Sequence, residues 1–345
     1  MPENLTAASA PIKKKRIDHL DTMRGMCILL VSYFHSNISL VFLQYVSAIC
    51  VHPFLFMAGY FYNPNKELRD TFHKKLRTTI LPYYIFGLMY YALWLTAFRA
   101  SDRDILPPLF SVLFMPTGEF PIEPSLYFLP MLFNVTMIFA LIIKYVKKEV
   151  WRLILVVSIT VFGNVWPRII SYRLPMCLDC AFSVLIYLYL GYHGRTIIAV
   201  IDSFVQKLDS RILRLAVFFT VAVLDYISIT NNFIPNLRNG AWSFIPMTHL
   251  NTCTTMLLWI YFFRWFEKPR VFAPVRRVLK YIGENSMVFM CFSHVGLYVG
   301  LFIVNRLPLG SGFWHNAAYL ILGTAAVVPI VTLFNKTRLH MLFGK

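Results

Sequence analysis

Apolar residues in this chain of 345 residues come in long runs rather than in alternation. The first begins near Met23, and others follow at roughly 45–62, 79–98, 126–143, 153–166, 177–192, 213–230, 248–265, 284–304 and 314–334. Most approach the ~20 residues an α-helix needs to cross ~30 Å of hydrocarbon. Lipid offers no water to unpaired backbone groups, so a spanning segment is a helix or part of a closed barrel. Runs without a period of two select helices. The pattern predicts an all-α polytopic membrane protein, a bundle of about ten transmembrane helices, in which 153–166 is the weakest member. Pro82, Pro130 and Pro246 fall near run ends, where a helix tolerates them.

Composition agrees. Hydrophobic residues make up 58% and charged residues only 14% of the chain, too few charges to cover a water-soluble surface of this size. Residues 1–16 are polar and then basic, and are expected to form a flexible cytosolic tail ahead of a single transmembrane domain over 17–345. The run after this tail contains Arg24 and His35 and is followed by no small-residue cleavage site, which favours a retained first span over a signal peptide. If the N-terminus is cytosolic, 26 of the 33 Lys and Arg residues fall in inside segments, six fall outside, and Arg24 lies within a span. That asymmetry places both termini in the cytosol.

The net charge of +17 does not point to nucleic acid, because the basic residues are dispersed among loops beside spans, where anionic headgroups answer them. Of the six cysteines only Cys177 and Cys180 form a CxxC, with no second pair and no neighbouring His, so no metal site is expected. The candidate chemistry therefore lies in the bundle.

Titratable residues inside spans are costly and are candidates for function. Arg24 and His35 are eleven residues apart, about 16 Å and close to three turns, and so project from nearly one face of the first helix. Snorkelling of Arg24, or its pairing with Asp21, and a packing role for His35 would also account for them. Before the third span, Lys74 and Arg77 stand at i, i+3 beside Arg69, His73 and Lys75. They either anchor the segment at the inner surface or receive a phosphate-bearing cytosolic ligand. On the other side, Asp102, Asp104, Glu119 and Glu123 stand among aromatics and prolines. A solvated loop explains them, and contact with a sugar acceptor is the second reading, with Glu123, nearest the membrane, as first choice.

Several of these residues belong to a recognisable series. LDTMRGMCILLVSYFH, with Arg24 and His35, the span end FLFMAGYFY, and Lys74-x-x-Arg77 before ILPYY resemble the membrane acyltransferases of acyltransferase family 3. So do PSLYFLPMLF (Pro124 to Phe133) and ENSMVFMCFSHVGLY (Glu284 to Tyr298), the latter carrying His294. Two positions depart from the family's pattern: Ala58-Gly59 stands where Ser-Gly is usual, and Leu126-Tyr127 replaces its Trp.

The resemblance implies transfer of an acyl group, usually acetyl, from cytosolic acetyl-CoA to a hydroxyl of an envelope polysaccharide, oligosaccharide or glycolipid. It also implies a multi-pass location in a bacterial-type inner membrane. On this reading Arg24, Lys74 and Arg77 neutralise coenzyme A phosphates, His35 is the general base, and His294 orients it or stabilises the oxyanion. The expected partners are acyl-CoA, the carbohydrate or glycolipid acceptor and the bilayer, without nucleic acid or metal. A transporter or exporter of a glycan or lipid-linked sugar is the alternative, although the paired half-sequence symmetry common in transporters is not evident.

Overall fold

The computed structural model of the chain describes residues 17–36, 40–100, 102–118, 120–170, 172–232, 237–238, 244–310 and 312–343. The expected tail over 1–16, the last two residues and Glu119 lie outside them.

All regular structure among the described residues is helical. The chain runs through α1 (Asp18–Phe34), α2 (Leu40–Ile49), α3 (His52–Tyr60) and α4 (Leu68–Lys75). A π-helical turn (Leu76–Ile80) joins α4 to α5 (Leu81–Leu93), and the short α6 (Leu106–Leu113) follows. Next come α7 (Phe128–Tyr145), α8 (Glu149–Ile169), α9 (Leu178–Ser183), α10 (Leu185–Tyr192), α11 (Gly194–Gln206) and α12 (Arg211–Asn231). The last are α13 (Ile245–Phe266), α14 (Ala273–Glu284), α15 (Ser286–Cys291), α16 (Ser293–Val304) and α17 (Phe313–Lys336).

Each apolar run of the sequence falls on one of these helices or on a broken pair. Among the described residues, five helical stretches are long and apolar enough to cross a membrane, namely Leu68–Phe98, Pro124–Tyr145, Glu149–Ile169, Arg211–Asn231 and Phe313–Lys336. The pair Pro175–Ser183 and Leu185–Tyr192, bent by 57°, makes six if it is one span. Tyr45–Tyr60 and Ser293–Val304 are apolar but shorter. The run at 153–166, weakest by sequence, belongs to a helix of 21 residues, lengthened at its start by Glu149 to Arg152. The first helix is 17 residues long and stops at Phe34, so His35 caps its C-terminal end instead of sitting mid-helix.

The core forms around α7, where Leu129, Met131, Val135 and Phe139 pack on Leu55, Tyr83, Phe86, Leu185 and Phe289. By contrast α12 shows Ile212, Phe219 and Leu224 on its outside. Such an apolar exterior suits lipid, not water.

Helices in lipid gain little from apolar burial against one another and depend on close packing through small residues. Here glycines meet carbonyls reciprocally. A Cβ on Gly25 of α1 would lie 1.9 Å from the Leu279 carbonyl oxygen of α14, and one on Gly283 would lie 1.9 Å from that of Asp21. Gly59 of α3 and Gly191 of α10 stand in the same relation to Leu188 and Phe56. The helix bearing Arg24 and His35 is thereby held backbone to backbone against α14.

Candidate active site

The late apolar run does not form one continuous helix. At Phe292 the backbone leaves helical geometry (φ −123°, ψ 15°), separating α15 from α16. A break in mid-bundle exposes carbonyls on one side and N–H groups on the other, and in lipid each needs a protein partner. The Cys291 carbonyl accepts from the Tyr90 hydroxyl at 2.6 Å. The N–H of His294, in the first turn of α16, donates to Glu123 Oε2 at 2.9 Å.

Glu123 reaches this position from the turn before α7. Ile122 precedes it at φ +59°, a conformation that a β-branched residue adopts only under strain. The Glu123 side chain is fully buried. Its Oε1 accepts from Ser293 Oγ at 3.0 Å and His294 Nδ1 at 2.6 Å, and also from Ser125 Oγ. The Ser125 and Ser293 hydroxyls and the His294 N–H donate, and an ionised Glu123 assigns the fourth proton to His294 Nδ1. The positive end of α16 adds to the fit for a carboxylate.

The His294 ring in turn lies against His35, with ring centroids 4.4 Å apart and planes tilted by 52°. Three residues distant in sequence thus form one connected unit, Glu123 to His294 to His35.

Two adjoining cavities lie near this unit, and His35 lines the first of them. One, of about 170 Å³, is lined by His35, Ser47, His52, Ser125, Tyr127 and Arg238 among others; we call it the histidine cavity. The other, of about 490 Å³, is lined by Arg24, Lys66, Thr71, Lys74, Lys75 and Thr78 among others, and is the basic cavity. Four cationic side chains around one cavity suit a polyanion such as a pyrophosphate.

Of the residues singled out by sequence, Arg24 and Lys74 line the basic cavity and His35 lines the histidine cavity. Arg24 also pairs with Asp21 at 3.1 Å, the i, i+3 contact expected from spacing. Arg77 is exposed and is not part of either lining. Lys75 and Lys66 stand there in its stead. A π-helical turn starts at Leu76, between Lys74 and Arg77, and its wider winding departs from the α-helical register on which i and i+3 share a face. Asp102 and Asp104 are exposed.

Sequence reasoning passed over His52 and Arg238. The His52 Nδ1 lies 3.1 Å from the Ala48 carbonyl, which can only accept, so Nδ1 carries the proton and Nε2 keeps its lone pair. That Nε2 is buried without a hydrogen-bond partner among the described residues. Arg238 donates to the Gly118 carbonyl, and its own carbonyl accepts from Arg173 Nη1 at 2.7 Å. A histidine at the start of a helix after a span break, HPFLFMAGY, was the available signal for His52. Arg238 stands between residues too polar to read as a span, and nothing local marks it.

Neither a curated protein nor a solved structure matches the chain. A family model does: the acyltransferase domain model of acyltransferase family 3 matches residues 17–336, nearly the whole chain. With its apolar helices and this match across both cavities and the Glu123–His294–His35 unit, the chain belongs to acyltransferase family 3 and is a membrane acyltransferase.

Proposed function

We propose that this acyltransferase moves a short acyl group, acetyl first, from cytosolic acyl-CoA to a hydroxyl of an envelope carbohydrate or glycolipid, with His35 as general base. The observation that carries the reading is the contact of His35, in the wall of the histidine cavity, with the His294–Glu123 pair, next to an adjoining basic cavity.

Arg24, Lys66, Lys74 and Lys75 would hold the phosphates of coenzyme A while its pantetheine arm extends along α1. Arg24 and His35 are about 16 Å apart along that helix, a depth suited to the arm. His35 takes the proton of the acceptor hydroxyl as that oxygen attacks the thioester carbonyl, forming the C–O bond. The C–S bond then breaks, and the thiolate leaves with the proton returned from His35. The products are the ester and free coenzyme A. Glu123 holds His294 in one tautomer behind His35, and the pair steadies the imidazolium that forms, the logic by which a carboxylate and a base cooperate elsewhere. Glu123 is therefore read as a positioning residue and not as a sugar contact, because both its oxygens are engaged inside the protein.

The reading includes ten spans with both termini cytosolic, in a bacterial-type cell membrane. The basic cavity would then open to the cytosol, where acyl-CoA resides. Thiol release from acetyl-CoA by the purified protein, supplied with envelope glycan extract, tests the chemistry. Mass spectrometry of envelope glycans from cells with and without the intact gene identifies the acceptor. Absence of thioester cleavage and of any acyl difference in the envelope would overturn the reading.

A further inference from the structure

The two cavities share part of their walls. Ile28, Phe54, Phe128 and Met290 are the side chains common to both linings, and they come from four different helices, α1, α3, α7 and α15. All are apolar. Ile28, Phe128 and Met290 are buried, and the Phe54 ring stands edge-on to Phe128 with centroids 5.8 Å apart. On α1 the order is Arg24, then Ile28 one turn later, then His35 two turns beyond, so cation, apolar collar and base follow one another along nearly one face.

We propose that this collar, with Phe54 and Met290 as its adjustable parts, sets the length of the acyl group that the enzyme transfers. The inference rests on the acyl-transfer reading. A donor held by its phosphates in the basic cavity can bring its thioester to His35 only by passing the collar. Everything beyond the carbonyl then lies in the histidine cavity, whose volume of about 170 Å³ must also admit the acceptor hydroxyl. A cavity of about that size holds a ring as large as benzene, so a short acyl chain fits beside that hydroxyl. A chain of hexanoyl length must either displace the acceptor or fold back on the collar, where the Phe54 and Phe128 rings and Met290 fill the space. In either case the carbonyl is withdrawn from His35, and the penalty falls on turnover more than on donor binding, since the phosphate contacts are unchanged. One methylene too many in a fitted apolar pocket is worth about 10–200-fold in selectivity.

The test uses membranes containing the full chain and its native acceptors. These are given acetyl-, butyryl- or hexanoyl-CoA labelled in the acyl group, and label incorporated into envelope material is counted. Wild type should favour acetyl over hexanoyl by about 100-fold or more, at the low end of that range for each of two methylenes beyond what the cavity holds, with butyryl close to acetyl. Phe54→Ala and Met290→Ala should each narrow the acetyl-to-hexanoyl ratio about tenfold or more, by raising hexanoyl transfer, with Phe54→Leu in between. Because alanine variants can fail to accumulate, Phe54→Leu and the wild-type ratio stand as independent readouts, and each variant is checked for monodispersity in detergent. A wild-type protein that transfers hexanoyl as well as acetyl, or folded variants that keep the wild-type ratio, would overturn the collar as the gauge while leaving acyl transfer intact. Label from none of the three donors would overturn the acyl-transfer reading and the gauge with it.

Discussion

Replacing Glu123 with Gln removes charge from the most connected atoms of the site while keeping its shape. The carboxylate has two accepting oxygens: Oε1 serves Ser125, Ser293 and His294 Nδ1, and Oε2 serves the His294 N–H. Glutamine offers one oxygen. Placed at Oε1, it retains three contacts but turns its NH₂ group onto the His294 N–H, two buried donors facing each other. The opposite orientation abandons three contacts, so the first is adopted. At about 1–3 kcal/mol for each buried donor left unpaired, the loss is about 2–6 kcal/mol, concentrated at the start of α16. His294 then loses its fixed backing, and acyl transfer should fall about 10²- to 10⁴-fold, the range for acid–base machinery put out of position. Thiol release from acetyl-CoA by the detergent-purified protein measures this, with size-exclusion profile and thermal melting as controls for folding. If the residues act as a unit, Glu123→Gln combined with His294→Gln should be scarcely worse than either alone. A folded Glu123→Gln protein that keeps its rate within about threefold of wild type would refute the assignment.

His35→Gln should leave donor affinity nearly unchanged and reduce turnover about 10²- to 10⁴-fold. Since only the unprotonated ring accepts the hydroxyl proton, the wild-type rate should fall on acidification, and a rate that does not change with acid would argue against histidine. Lys74→Ala and Lys75→Ala should each raise the KM for acetyl-CoA, most strongly at low salt, whereas Arg77→Ala should change it little; equal effects from all three would restore Arg77 to the site. Gly25→Ala must part α1 from α14 and should destabilise the protein by about 1–3 kcal/mol or more, seen as a lower melting temperature. Gly87→Ala, whose Cβ would first meet a side-chain carbon of Val112 at 3.1 Å, is the milder comparison.

The helices were legible because lipid permits little else, and long apolar runs report them directly. Arg24 and His35 could be read together because one helix, α1, carries the first and is capped by the second, so spacing along it relates the two. The spacing of Lys74 and Arg77 was a weaker guide: a π-helical turn that starts between them changes the winding, and no feature of LRTTI announces it. Glu123 looked like a surface acid because its own neighbourhood is a loop of prolines and aromatics. Its partners, Ser293 and His294, are 170 and 171 residues away, and long-range closure of that kind leaves no periodic trace. The break at Phe292 that creates the need for a carboxylate is equally silent, since SMVFMCFSHVG reads as a continuous span.

That separation of 171 residues between Glu123 and His294 also sets a timetable for synthesis. At about 5–20 residues per second, the acid leaves the ribosome roughly 10–30 s before the histidine that answers it. During that interval a carboxylate destined for the bundle interior has only Ser125 as a near neighbour in sequence, and burying it alone is expensive. The loop carrying it should therefore stay at the water interface until α15 and α16 have been inserted. A nascent chain arrested before Ser293 should leave Glu123 reachable by soluble reagents, and release of the arrest should seal it.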